Sequence, residues 1–406
     1  MSEATDELES FRAEARAWLE ENFPKSLAGR GAAIMRAEFI EEDEGDALAW
    51  AKRLGEKGWG TPTWPAEYGG GGLSQLQAQA LAQEMDRLGA FNPLVRTTGM
   101  GITMVGPTIL EYGTEDQKQR HIPRICRGEV FWALGYSEPN AGSDLASLQM
   151  RAVDAGDHWV VNGQKTWTSG ADRAQWIGCL VRTDPDAPKR DGISFLMLDM
   201  DQPGIETRPI RLIGGASPFC ETFFNDARAE KNEMLGELNA GWTVGKRLLQ
   251  HERQSQTGAT SGMGGGQRRS LRDVAKEYVG VDEQGRLADP DLRARLADHM
   301  MSARAHALTI ARVTAEARGN HKVSAAASIL KNAASQVAQQ RAELRIELMG
   351  HQGLGWEGEG FAAEELEAVR DWLTGKAMSI YGGSFEIQNN IIAKNILGLP
   401  ETTQRG

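Results

Sequence analysis

Cysteine is scarce in this sequence. The 406 residues include three, Cys126, Cys179 and Cys220, far apart along the chain. They show neither the paired spacing of a zinc site nor the density of a disulfide framework. Positive charge is also short: 45 Lys and Arg against 56 Asp and Glu leave a net charge of −11. No basic run offsets this, which argues against nucleic acid as a partner. An acidic average still permits a local basic groove for a phosphate-bearing ligand. No apolar run approaches the roughly 20 residues that span a bilayer. The opening MSEATDELESFRAEARAWLEENF lacks the basic-then-apolar order of a secretory signal. The seven histidines show no metal-ligand spacing. The expectation is a cytoplasmic protein with no metal and no membrane span.

What is present is an ordinary globular composition, 40% hydrophobic and 25% charged. The length suffices for two or three domains and a large core. Leu8, Phe11, Ala15, Trp18 and Leu19 recur at helical spacing and predict an amphipathic helix over 5–22 that ends before Pro24. Residues 46–57 and 74–90 read the same way. TPTWPAEYGGGGLS between them is a loop. Residues 1–130 are therefore expected to form a helical domain.

The texture changes near residue 131. VFWALGYSEP, HWVVNGQKTWTSG, QWIGCLVRT, GISFLMLDM and CETFFNDARA are short runs of β-formers separated by turns. Ala155-Gly156-Asp157 and Asn162-Gly163 read as turn signals. Residues 131–236 are expected to form an antiparallel β-domain. From 237 onward helices return. DLRARLADHMMSARAHALTIARVTAEARG and KVSAAASILKNAASQVAQQRAELRIELMG are long, Ala- and Leu-rich and free of Pro, as antiparallel bundle packing requires. The order is helical, β, helical: an α+β fold with a C-terminal bundle over 237–406.

Three motifs carry a resemblance. Ser137-Glu138-Pro139-Asn140-Ala141-Gly142-Ser143-Asp144, Asn162-Gly163-Gln164-Lys165-Thr166-Trp167 and the C-terminal EIQNNIIAKNILGLP stand in this order. Together they resemble the acyl-CoA dehydrogenase family over essentially the whole chain. That resemblance implies an N-terminal helical domain, a middle β-domain and a C-terminal four-helix domain. It also implies FAD as cofactor, an acyl-CoA thioester as substrate and an electron-transferring flavoprotein as acceptor. The implied reaction removes a proton from the α-carbon and a hydride from the β-carbon. Its first half needs a carboxylate base beside the α-proton and donors that polarise the thioester carbonyl.

The resemblance also raises a conflict. Where the family commonly reads Tyr-Glu-Gly-Thr, with that Glu as base, this chain reads Tyr381-Gly382-Gly383-Ser384. The carboxylate is gone and the Gly382 backbone N–H remains as a donor. Isovaleryl-CoA and long-chain acyl-CoA dehydrogenases instead place the base on an early helix of the C-terminal domain, directly before an Arg. GWTVGKRLLQHERQSQTG puts Glu252-Arg253 at that position. Gly at 382 together with Glu at 252 is the pattern of a moved base. The plain alternative for Glu252 is a solvated helix glutamate. Arg253 points about 100° round the helix; it helps hold the CoA or the helix, or makes a structural salt bridge. His251 either tunes the base or lies on the surface.

By the same resemblance, cofactor contacts fall on Tyr136, Ser137, Gly142, Ser143, Trp167, Thr168, Ser169, Gly350, Ser384 and Glu386. Substrate contacts fall on Ser143, Gln250, Arg253 and Gly383. Strand alternation puts Trp167 and Ser169 on one face and turns Thr168 away, leaving it a backbone contact. ELMGHQGLG resembles the family's glycine loop, with Glu347 and His351 as departures, and Gly350, Gly353 and Gly355 permit close backbone approach. A larger departure is the absence of Arg-x-x-Phe-Gly, with Tyr278 at the Arg position. Some bacterial members that share this departure work as heteromers with half the usual flavin. The assembly is thus a homo-tetramer, a homo-dimer or a heterotetramer. SGMGGGQ at 261–267 follows a helix rather than a strand and fails as a dinucleotide loop. The small residues from Gly258 to Gly266 suit a widened acyl cavity. Two other functions compete: a catalytically silent subunit of a heteromeric dehydrogenase, and a flavin monooxygenase on the same scaffold.

Overall fold

The structure is a computed structural model that describes residues 2–36, 40, 44–258, 269–320 and 327–400. The chain forms two compact units. One comprises Met1–Ile210 with Ser217–Gly266; the other comprises Arg211–Ala216 with Gln267–Gly406.

The first unit opens with seven helices: α1 Ser2–Asn22, α2 Gly31–Arg36, α3 Gly45–Glu56, α4 Gln75–Leu88, α5 Leu94–Thr98, α6 Gly106–Tyr112 and α7 Glu115–Cys126. The three amphipathic stretches read from the sequence are α1, α3 and α4. The first turn of α4 is closed by a reciprocal cap between Ser74 and Gln77, and that of α7 by one between Thr114 and Gln117. The apolar faces of α1, α3 and α4 meet around Trp50, which is wholly buried and donates its indole N–H to Phe91 O over 2.7 Å. Each such large side chain taken out of water contributes roughly 1.5–3 kcal/mol.

Seven strands follow: β1 Trp132–Gly135, β2 Arg151–Asp154, β3 His158–Ser169, β4 Trp176–Arg182, β5 Ile193–Asp199, β6 Ile205–Ile210 and β7 Phe219–Glu230. The order is β1-β4-β2-β3-β7-β6, with β5 pairing on β4. The expectation of an antiparallel domain needs correction. β1 runs parallel to β4, and β2 also meets β4 in parallel at Arg151 and Arg182. The other pairings are antiparallel. Direction is set by connections too distant for strand periodicity to report.

β5 is buried at six successive positions because both its faces are covered. Ile193, Phe195 and Met197 join the core shared with α6 and α7, whereas Leu196 and Leu198 join the core inside the sheet. The unit closes with α8, Gly241–Gly258, which packs on β4, β5 and α6.

Of the two turn signals, Gly156 does turn the chain between β2 and β3, at φ +95°. Asn162-Gly163 does not; it lies inside β3 opposite a bulge of β7, where Asn225 and Asp226 share the single Asn162 and the register shifts. Gly163 has φ +147°, and a Cβ there would come within 2.9 Å of Met150 Cα. Asn162 exchanges two hydrogen bonds of 2.9 Å with Asp226 across the bulge.

The second unit holds α9 Leu271–Tyr278, α10 Pro290–Asn320, α11 Ala327–Met349, α12 Ala363–Thr374 and α13 Phe385–Ile391. α9, α10, α11 and α12 share a core of Leu271, Val274, Leu296, Leu344, Leu348 and Ala368. Among the described residues no helix is long and apolar enough to cross a membrane.

Candidate active site

Two segments of the β-domain gather most of the residues singled out in the first unit. One is the loop 136–150 that leaves β1. The other is the distal end of β3.

The loop is held rigidly from below. Glu138 and Ala141 exchange backbone hydrogen bonds of 3.0 Å, closing a tight turn. The nearly buried Glu138 carboxylate accepts from the Gln149 N–H at 2.7 Å and the Met150 N–H at 2.9 Å. Lys165, reaching in from β3, donates to Glu138 Oε1 at 2.8 Å and to Tyr136 O at 3.1 Å. Burial pulls the Lys165 ammonium below the ordinary lysine pKa, opposed by the Glu138 charge. Arg182 pins the far side, donating to Ala146 O at 2.8 Å and Lys189 O at 2.7 Å. What remains outward is the rim: Ser137 is half-buried, and Gly142 and Ser143 are exposed. Tyr136 turns inward, its hydroxyl 3.4 Å from Gly245 O on α8.

On β3, Trp167 has a left-handed backbone, φ +62°, and is 54% exposed. That conformation costs a non-glycine residue about 1–2 kcal/mol. It arises at a second bulge: Lys165 pairs with Thr222, Thr168 pairs with Cys220, and Thr166 and Trp167 share the single intervening residue of β7. Simple alternation therefore does not explain the pattern, because Lys165 and Thr168 are both buried. Thr168 is wholly buried, its side chain turned away from the exposed Trp167. Its hydroxyl donates to Cys220 O at 2.8 Å and lies 2.7 Å from Thr222 Oγ1. Ser169 is half-buried, and the Trp167 ring meets Phe219 edge-on, with centroids 6.0 Å apart.

An exposed indole on a strained, pinned bulge, with the half-buried Ser137 joined to Thr166, and with Ser169 two residues on, fits the ring system of a flavin. It offers a flat apolar face that the protein itself leaves uncovered.

Two cations went unread in the sequence. Lys189 Nζ lies 2.9 Å from Asp144 Oδ2, next to Ser143, and holds the Asp144 carboxyl below its usual range, with Arg190 adding to the effect. They come from the 183–191 turn, which no motif covers. Lys165 and Glu138 did lie inside quoted motifs, but nothing local marked them as partners.

α8 carries the proposed base. Glu252 and Arg253 fall within its span, but their side chains lie outside the described residues, as does the glycine-rich 259–267 stretch. Gln250 is exposed and accepts from Arg247 at 2.9 Å. His251 is not a surface histidine: it is 13% exposed, with Nε2 3.4 Å from Glu111 Oε2.

In the second unit, Gly382 has φ +65° and Gly383 φ +90°. Among the described residues no acceptor sits on the Gly382 N–H, while Gly382 O accepts from Gln388 Nε2 at 3.0 Å. Ser384 caps α13, accepting from Ile387 N at 3.3 Å. The Glu386 carboxyl is held low by its own backbone N–H and by the Ser384 hydroxyl. Gly350 has φ +57°. The close approaches at Gly353 and Gly355 are to the chain's own Ile346 and Phe361. The Glu347 carboxylate is paired with Arg295 at 2.6 Å. Tyr278 donates to Glu365. Among the described residues no cluster of His, Cys, Asp or Glu is arranged to hold a metal.

Comparison with known proteins agrees along the whole chain. Residues 5–129, 133–227 and 239–397 match the acyl-CoA dehydrogenase N-terminal, middle and C-terminal domains respectively. The acyl-CoA dehydrogenase IpdE1 of Mycolicibacterium smegmatis is 36% identical over 408 residues, covering 97% of this chain and 98% of that one. Among solved structures, the Tcur3481-Tcur3483 steroid ACAD superposes with a TM-score of 0.75 at 32% identity, covering 98% of each chain. The ChsE4-ChsE5 complex of Mycobacterium tuberculosis gives 0.71 at 28% identity, again covering 98% of each. The chain belongs to the acyl-CoA dehydrogenase family, flavoprotein oxidoreductases acting on CH–CH groups, and has that family's helical, β and helical architecture.

Proposed function

We propose that the chain carries out FAD-dependent α,β-dehydrogenation of an acyl-CoA thioester to the trans-2-enoyl-CoA, with Glu252 as the base that takes the α-proton. Helix register carries this reading. Gly241, Val244, Gly245 and Leu248 form the buried face of α8, and Gly245 meets Tyr136 of the β-domain. Position 252 comes seven residues after 245, so it returns to that face about 10 Å further along the axis. A carboxylate base there would take the α-proton as the enolate forms.

The Gly382 N–H is the donor assigned to the thioester carbonyl, where enolate charge develops. FAD, when bound, supplies the two-electron acceptor for the β-hydride. Ser137, Trp167, Ser169 and the Thr168 backbone take the ring. Tyr136, Gly142, Ser143, Gly350, Ser384 and Glu386 complete the cofactor set. Ser143, Gln250, Arg253 and Gly383 are assigned to the acyl-CoA, and Lys189 and Arg190 offer cations to its phosphates.

The likeness to a steroid ACAD supports a bulky, ring-bearing acyl group as substrate. The likeness to the ChsE4-ChsE5 complex and to the Tcur3481-Tcur3483 steroid ACAD supports a heterotetramer over a homomer. Two features of the second unit agree with this. The Tyr278 hydroxyl is committed to Glu365, so position 278 offers no cation to a neighbour's cofactor. Met300, Met301 and Leu308 leave α10 with exposed apolar side chains suited to subunit packing. An electron-transferring flavoprotein is the proposed acceptor, and the cytoplasm, where three free buried thiols persist, the proposed compartment. Domain boundaries are placed at 130/131 and 236/237.

A silent subunit is the second reading, favoured by Gly382. Anaerobic mixing of the FAD-loaded protein with straight, branched, dicarboxylic and steroid acyl-CoAs separates the two. Bleaching of the flavin by wild type and retention of colour by Glu252→Gln is expected. No bleaching with any thioester overturns the catalytic reading.

A further inference from the structure

Trp167 stands in a conformation that its own residue type disfavours, so something must hold it there. The structure shows an anchor on each side. Upstream, Lys165 is wholly buried and ends in the Glu138 carboxylate and the Tyr136 carbonyl. Downstream, the Thr168 hydroxyl is tied to Cys220 O and lies against Thr222 Oγ1 on β7. Between the anchors the Thr166 N–H donates to Ser137 O at 2.9 Å. The bulge of β3 and the loop of β1 are thus fastened at two points, one of them a buried ion pair.

Glu138 extends the fastening, because its two oxygens also collect the Gln149 and Met150 N–H groups. One carboxylate therefore fixes both ends of the loop that presents Ser137 and Ser143. Lys165 is two residues from Trp167, and Glu138 is adjacent to Ser137. Neither charged group lies on the rim. A buried pair of this kind adds little stability over apolar residues of the same volume. What it does add is a defined geometry between the two strand ends that it joins.

We propose that the Lys165–Glu138 pair is a positioning device that holds the Trp167 bulge and the Ser137 loop at a fixed separation, preorganising the surface that receives the flavin ring. This rests on the FAD reading above. Both residues act through Trp167 and Ser137 and do not touch the ligand.

The test uses the full chain in the assembly in which it purifies. FAD is stripped and titrated back into wild type, Lys165→Met/Glu138→Gln, Lys165→Arg and Thr168→Val. Dissociation constant, visible circular dichroism of the bound flavin and melting temperature are measured for each. The double variant loses both charges together, so no lone buried charge is left. Thr168→Val keeps the pair and removes only the downstream anchor. The double variant is expected to weaken FAD binding by about tenfold or more and to change the flavin dichroism. Thr168→Val is expected to shift both in the same direction by less, while still melting close to wild type. Wild-type affinity and dichroism in a folded double variant overturn the proposal. If the double variant does not fold, unchanged affinity and dichroism in Lys165→Arg, which keeps the charges but changes the length of the pair, overturn it alone. A wild type that binds no FAD defeats the cofactor reading itself, and the device with it, a result distinguishable because it precedes any variant.

Discussion

Tyr278 donates its hydroxyl to Glu365 Oε1 over 2.6 Å, tying the end of α9 to the first turn of α12. The other carboxylate oxygen accepts from Ala362 N at 2.7 Å and from Gln352 Nε2 at 3.1 Å. One buried carboxylate thus joins α9, the start of α12 and the glycine loop at 350–355. Tyr278 is here a structural post.

This post has a pH signature. Burial, then the hydrogen bond to Glu365, pushes the Tyr278 phenol up to about 12. Unfolded tyrosine ionises near 10. A raised folded value contributes stability that is fully present below about pH 10 and is lost as pH rises through the folded value. Glu365 has the opposite sign: its hydrogen bond from Tyr278 holds it below the usual carboxylate range, so its contribution is lost as pH falls through its folded value. Tyr278→Phe should cost about 1–2 kcal/mol at neutral pH. It should also flatten the decline in stability above pH 10, where Tyr68, also pushed up to about 12 by its bond to Glu115, leaves a remainder. Urea unfolding at pH 7 and across pH 9–12 checks both.

Gly163→Ala should destabilise the β-domain by about 1–3 kcal/mol. The new Cβ would meet Met150 backbone at 2.9 Å, on a residue whose φ is +147°. Neither problem can be relieved by moving a side-chain tip. Thermal unfolding checks this, and a melting temperature equal to wild type contradicts this close approach.

The three thiols should resist modification in the native protein. All three are buried. Desolvation pushes Cys179 up to about 12 and Cys220 up to about 11, and raises Cys126 as well. Almost no thiolate is then present at pH 8. Mass spectrometry after brief iodoacetamide treatment should show no adduct natively and three after denaturation.

The sequence made the succession of helical and β segments readable, because amphipathic spacing in α1, α3 and α4 and β-former runs in β3, β4, β5 and β7 are local signals. β2 and β6 escaped notice. RAVD is short, and IETRPI is polar and half-exposed, so neither stands out as an apolar run. Asn162-Gly163 has a turn's composition, yet it stays within β3 because β7 continues alongside it, with the bulge on the β7 side. The Trp167 backbone was equally hidden, since its cause lies in Glu138, Cys220 and Thr222, distant in sequence. The motifs named Ser137, Trp167 and Ser169 without revealing what supports them. That support is a buried ion pair formed only when β1 and β3 come together.

Gly382 and Glu252 make the central claim: the carboxylate has moved and the backbone donor has stayed. Its most direct test is exchange of the substrate α-proton with deuterated solvent, using an acyl-CoA analogue that binds but cannot surrender a β-hydride. Wild type should exchange. Gly382→Ala should exchange more slowly, because a Cβ on a left-handed backbone, φ +65°, disturbs the donor while leaving the base in place. Glu252→Gln should lose about 100-fold or more while still binding the analogue. Exchange by Glu252→Gln at the wild-type rate would contradict the account and place the base elsewhere.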